Sequence, residues 1–206
     1  MADTTGLETS LLAAGATGLE FVSDGNNAAL VGLIKESAIF KFGLEESVGT
    51  LNGNWRPTPG KQPFGYMSED GITIHAEAGD DTDLKGHNGD SVVSMTTGSY
   101  WTVQLSALES KKEVIETYFD TKVAADGSIT LTSAEVNSYA QYVIAGMTQS
   151  GHLIVLHLPK LKVSERDDIT WTVSDLQAFN MTFRAFKGDG NAPYMMKAWG
   201  FAQDTD

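Results

Sequence analysis

The sequence has no cysteine, four histidines and five prolines in 206 residues. Without thiols there is no disulfide scaffold and no thiolate metal site. The histidines do not replace one. His152 and His157 lie five apart on a predicted strand and so point to opposite faces, while His75 and His87 stand alone. Cations are scarce too: 14 Lys and Arg against 27 Asp and Glu give a net charge of −13. Such a surface repels nucleic acid and anionic membranes unless a basic patch forms. The nearest run, Lys160, Lys162 and Arg166, leads directly into Asp167 and Asp168. No apolar run is long enough to span a bilayer, so no membrane insertion is expected. The first basic residue is Lys35, after Asp3 and Glu8, so no secretory signal is expected. GxSxG, HExxH, P-loop and GxGxxG patterns are missing, which points away from an enzyme and from a bound cofactor.

What is present is a pattern of strands. At 41% hydrophobic content the chain can build one sizeable core, and 21 glycines suggest many turns. Residues 1–37 are small, polar and without period, and read as an N-terminal arm. Residues 38–201 form a mainly β domain, and residues 202–206 a short tail. Ala38 to Gly43 reads as a strand. Leu44 to Pro63 holds three prolines and shows no period. A loop of this length in a compact domain is functional or disordered, and Trp55 within it needs something to bury against.

The stretch "FGYMSEDGITI", Phe64 to Ile74, sets two carboxylates before a glycine. Glu69 and Asp70 could form an acid–base pair, but Asp before Gly71 is also what a turn needs, and a structural corner is the reading adopted. "ITIHAEA" then alternates, with Ile72 and Ile74 on one face. In the acidic loop that follows, Asp81, Asp83 and Gly86 match the first, third and sixth positions of a calcium loop. Lys85 at the fifth and Val92 at the twelfth break the match, so no metal is expected. Val92 to Ser106 reads as one long strand, with Val93, Met95, Trp101, Val103 and Leu105 on one face and Ser94, Thr96, Tyr100, Thr102 and Gln104 on the other. Ser110 to Phe119 reads as a helix, with Ser110 and Glu113 as a capping box and Val114, Ile115, Tyr118 and Phe119 as its apolar stripe. Further strands are expected at Tyr139–Met147, His152–Val163, Asp168–Val173, Ala178–Lys187 and Pro193–Phe201, with turns at "TQSG" and "GDGN". Seven or eight strands and one helix suggest a β-sandwich or barrel-like fold with a helix against the sheet.

The order of these features resembles the major tail tube protein of long-tailed actinobacterial phages. "PFGYMSEDGITI", the acidic stretch, "VVSMTTGSYWTVQL" and "SKKEVIETYF" carry the resemblance, and "QYVIAGM", "HLPKLKVSE", "ITWTVSD" and "FNMTFRAFKGDGN" continue it, over about Ala38 to Trp199. The sequence departs from that family at His87 and Asn88, where a Trp is often found. The resemblance implies a structural virion protein, assembled in the host cytoplasm. It would polymerise as stacked hexameric rings into the tube of a non-contractile tail, through which DNA passes without specific binding. Tape measure, tail terminator and distal tail proteins would be its partners.

On this reading the arm and the loop reach neighbouring rings and are ordered by them. Leu51, Trp55, Arg56 and Phe64 would make subunit contacts, and Ser94, Thr96 and Thr102 would face the lumen. The alternative is a carbohydrate-binding β-sandwich that uses Trp55 or Tyr100 as a platform.

Overall fold

The computed structural model describes residues 26–203. Most of the predicted arm, and the last three residues of the tail, lie outside them. Nine strands follow in chain order: β1 (Ile34–Phe42), β2 (Met67–Glu77), β3 (Asp80–Lys85), β4 (Ser91–Thr97), β5 (Tyr100–Ala107), β6 (Ala140–Thr148), β7 (Leu153–Arg166), β8 (Phe179–Ala185) and β9 (Lys197–Trp199). The helix α1 (Lys112–Tyr118) lies between β5 and β6. Strands β1-β6-β7-β8-β5-β2 form one antiparallel sheet in that order, with β9 added against β7. Among the described residues β3 and β4 pair only with each other, as a separate hairpin.

Alternation along the strands splits the sheet into two faces. One face collects Val103 and Leu105 of β5, Tyr142 and Ile144 of β6, Leu156 and Leu158 of β7, and Phe179, Met181 and Phe183 of β8. Helix α1 covers this face with Val114 and Tyr118. The expected capping box is absent: the helix starts at Lys112, its N-cap is Lys111, and no side chain caps it. Packing holds this short helix in place of a cap. The hydroxyl of Tyr118 donates to Asp167 O, and Arg166 Nη1 donates to Tyr118 O at 2.8 Å.

Four further expectations are corrected. The predicted long strand is two strands, because Gly98 takes φ 81° and turns the chain between β4 and β5. Its first half therefore pairs with the acidic stretch, which is a strand and not a loop, and Trp101 sits exposed at the head of β5. Asp168–Val173 is not a strand, and Trp171 and Val173 are exposed. Alternation marks side chains that need cover but does not supply a backbone to pair with. The first strand begins at Ile34, inside the predicted arm. Pro159, inside β7, is tolerated because the ladder slips there: Ala140 and Tyr142 face Leu161 and Leu158, an extra residue on the β7 side.

Candidate assembly interface

The long loop Leu44–Pro63 folds back onto the outer face of the sheet. Trp55 is 3% exposed and meets Phe40 and Phe42 edge-on, with ring centroids 5.3 and 6.5 Å away. Val143, Val155 and Leu51 complete this second apolar cluster. Trp55 Nε1 donates to Val48 O at 2.7 Å, so the loop also closes on itself. Phe64 is fully buried in the main core, and its N–H donates to Ile39 O at 2.9 Å. The expectation that neighbours alone order this loop is thus corrected, since Trp55, Leu51 and Phe64 are packed within the subunit. Of the four predicted contact residues only Arg56 is exposed, with Nη1 on Trp55 O at 2.8 Å.

A buried polar cluster fixes the start of this loop. Gln141 Nε2 donates to Gly43 O at 2.6 Å, Leu44 O at 3.2 Å and Glu46 O at 2.6 Å. Its Oε1 is therefore turned to His157 Nε2, 3.2 Å away, which must carry the proton. His157 Nδ1 is then free to accept from Tyr194 Oη at 3.0 Å. Burial lowers the His157 pKa to about 4, so the ring is neutral at physiological pH. One histidine thus ties the loop to the C-terminal segment.

The predicted corner is a bulge inside β2. Met67 faces Ala107 and Ile72 faces Leu105, so the residues between them loop out of the ladder. Gly71 takes φ 69°, and Glu69 and Asp70 are exposed on the loop. No group of three or more His, Asp or Glu that could hold a metal occurs among the described residues. Ser94 and Thr96 share one exposed face of the β3–β4 hairpin with Asp81 and Asp83. Thr102 does not join them: it lies buried in the main sheet on the ladder between His75 and Arg184.

Sequence reading overlooked a surface on β7 and β8. Lys162 and Arg184 are paired across these strands, and with Arg166 they line a groove of about 450 Å³ beside Ala134 and Val136. Arg184 stacks over the Tyr100 ring at 3.8 Å, which covers that proposed sugar platform, while Trp55, the other one, is buried. The spacing Lys162-x3-Arg166 was visible, but Arg184 joins it only through strand pairing. Apolar side chains also remain uncovered at Leu30, Val31 and Leu33, on the hairpin at Leu84, Val93 and Met95, and at Trp171, Val173 and Leu176. Patches of this kind mark contact surfaces.

The family described as phage tail tube protein matches residues 31–203. No curated protein matches the chain in sequence. Among solved structures, the sheath–tube complex of an extracellular contractile injection system (PVC, extended state) is 14% identical with a TM-score of 0.40, covering 89% of this chain and 98% of that one. The tube-terminating cap of the anti-feeding prophage is 12% identical with a TM-score of 0.42, covering 85% and 97%. The family match, not these distant likenesses, carries the assignment.

Proposed function

Because the chain belongs to the phage tail tube protein family, we propose that its copies close into six-membered rings that stack into the bore of a non-contractile tail. The protein is a structural component of the virion tail and not an enzyme. The observation that carries the ring reading is the sheet itself. Among the described residues it is open at β1 and β2, which have no partner there on their outer sides along the sheet. Open edges are a liability in a free subunit, and pairing them between identical copies removes it. The exposed apolar segments give the same copies further contacts. Tape measure, terminator and distal tail proteins complete the assembly. Negative-stain images of concentrated protein should show six-fold rings or tubes; a strictly monomeric species, together with absence from virions, would overturn the reading.

Passage of DNA follows from the same assembly. The outer side chains of β2 and β5, among them Thr73, Gln104 and Ser106 around the buried Thr102, offer a polar wall for the bore, with Glu77 on the same face and Arg184 at its margin, stacked on Tyr100. Six copies of a −13 chain would carry 78 negative charges in each ring. Such a wall offers few cations, releases few counterions from DNA and so holds it weakly. Gln104→Lys and Ser106→Lys should leave assembly intact and slow ejection; unchanged ejection with both lysines would remove this part of the proposal.

A further inference from the structure

The β3–β4 hairpin is two-faced. Cross-strand pairing places Asp81 opposite Thr96 and Asp83 opposite Ser94, so these four side chains share one face. Thr96 Oγ1 donates to Asp81 Oδ1 at 2.5 Å. Leu84 opposite Val93, with Met95, makes up the other face. Every hairpin strand residue is exposed, so nothing among the described residues covers either face. Across Asp80–Thr97 the hairpin holds Asp80, Asp81, Asp83 and Asp90 against one lysine, Lys85.

The groove on β7 and β8 has the opposite character. Lys162, Arg166 and Arg184 line it with one carboxylate, Glu165. Among the described residues, none of the three cations has a carboxylate oxygen within 4.0 Å. Lys162 Nζ donates to Asn137 Oδ1 at 3.3 Å and lies over the Tyr139 ring, and Arg166 donates to Tyr118 O and Ala134 O, so Lys162 and Arg184 are the cations with most left to offer a carboxylate. Arg184 Nε is buried and has no hydrogen-bond partner. On a chain of net charge −13, cations without carboxylate partners beside an apolar lining are unusual, and an unmet buried N–H is a costly arrangement.

We propose that the acidic face of the hairpin docks into the Lys162–Arg166–Arg184 groove of a second copy of this chain. The inference rests on the tube reading and names the surfaces through which copies meet. The geometry suits it. Asp81 and Asp83, two residues apart on one strand, present carboxylates about 7 Å apart. Lys162 and Arg184, at paired positions with Cα atoms about 5 Å apart, carry side chains long enough to meet both. Hairpin and groove are different surfaces, so the contact can run head-to-tail from copy to copy, which generates a ring or a helix. It assigns Ser94 and Thr96, which share the acidic face, to a subunit contact and not to the bore. Opposite charges fix which surface meets which, and like charges placed there oppose docking.

Charge exchange tests this. The hairpin variant Asp81→Lys/Asp83→Lys and the groove variant Lys162→Glu/Arg184→Glu should each lose assembly, with circular dichroism and thermal unfolding like those of the unaltered chain. Mixed in equal amounts they should assemble again, because each basic hairpin then meets an acidic groove and each acidic hairpin a basic one. The chain carrying all four changes should assemble alone. Co-assembly also shows that both variants are folded. If either double variant assembles like the unaltered chain, or if neither mixing nor the fourfold change restores assembly, the docking is overturned and the tube reading stands. An unaltered chain that never assembles overturns both.

Discussion

Protonation of His157 should loosen the subunit, and its surroundings set the size of the effect. The ring is 3% exposed, with Gln141 Oε1 on one nitrogen and Tyr194 Oη on the other. Burial takes its pKa from the ordinary 6.5 to about 4. The unfolded chain therefore binds the proton first as pH falls. This contribution to stability is intact above the unfolded value and is lost through the window from 6.5 down to about 4. At about pH 5 the unfolded state is almost fully protonated and the folded state barely so, which costs about 2 kcal/mol relative to neutral pH. Urea unfolding of the subunit at neutral pH and at about pH 5 measures this. His157→Gln lacks the titration, so its stability should fall by about 2 kcal/mol less over the same interval. Carboxylates protonate in both chains and cancel in the difference. An equal fall in the two chains, or an NMR titration that places His157 near 6.5, would refute the reasoning.

Other outcomes follow from the same contacts. Trp55→Ala should destabilise the subunit itself by about 3–5 kcal/mol in urea unfolding; unchanged stability with lost stacking would return Trp55 to the inter-subunit role. Gln141→Leu leaves three carbonyls of the loop start unmet and should cost about 1–3 kcal/mol, with faster hydrogen exchange confined to the loop and the Tyr194 segment. Gly98→Val forces a branched side chain into the left-handed region, a strain of about 1–2 kcal/mol. Because the hairpin does not pack on the core, global unfolding should hardly change, while hydrogen exchange in β3 and β4 rises; a matching drop in global stability would count against this.

Strand alternation carried most of the sheet. Tyr139–Met147, His152–Val163 and Ala178–Lys187 lie within a few residues of β6, β7 and β8, because one apolar and one polar face leave a period of two in the sequence. The bulge at Glu69–Gly71 was legible because the Asp–Gly step needs a glycine-like backbone. Period could not show where a strand ends. Val92–Ser106 keeps one register on either side of Gly98, so only the turn at that glycine divides it. Trp171 and Val173 alternate as a strand would, yet have no neighbouring backbone to pair with. The loop is hard to read for a different reason: lack of period does not mean lack of a partner, and one indole and one amide side chain fasten it. The groove was the least legible feature, since Lys162 and Arg184 meet only through the β7–β8 ladder.

An isolated two-stranded hairpin is marginally stable in water. Among the described residues β3 and β4 do not pack on the core, so under the proposed docking contact with another copy adds most of the free energy that holds them fully ordered. In kinetic terms, two free subunits that meet must order two hairpins before either gains a complete set of contacts, and their −13 charges repel meanwhile. A subunit that arrives at an existing end finds its site already shaped. Nucleation is therefore slow and elongation fast. If copies dock as proposed, the chain should accumulate as free subunits until a first set of sites is presented, and the number of tubes should follow the number of starting points, not the supply of subunits.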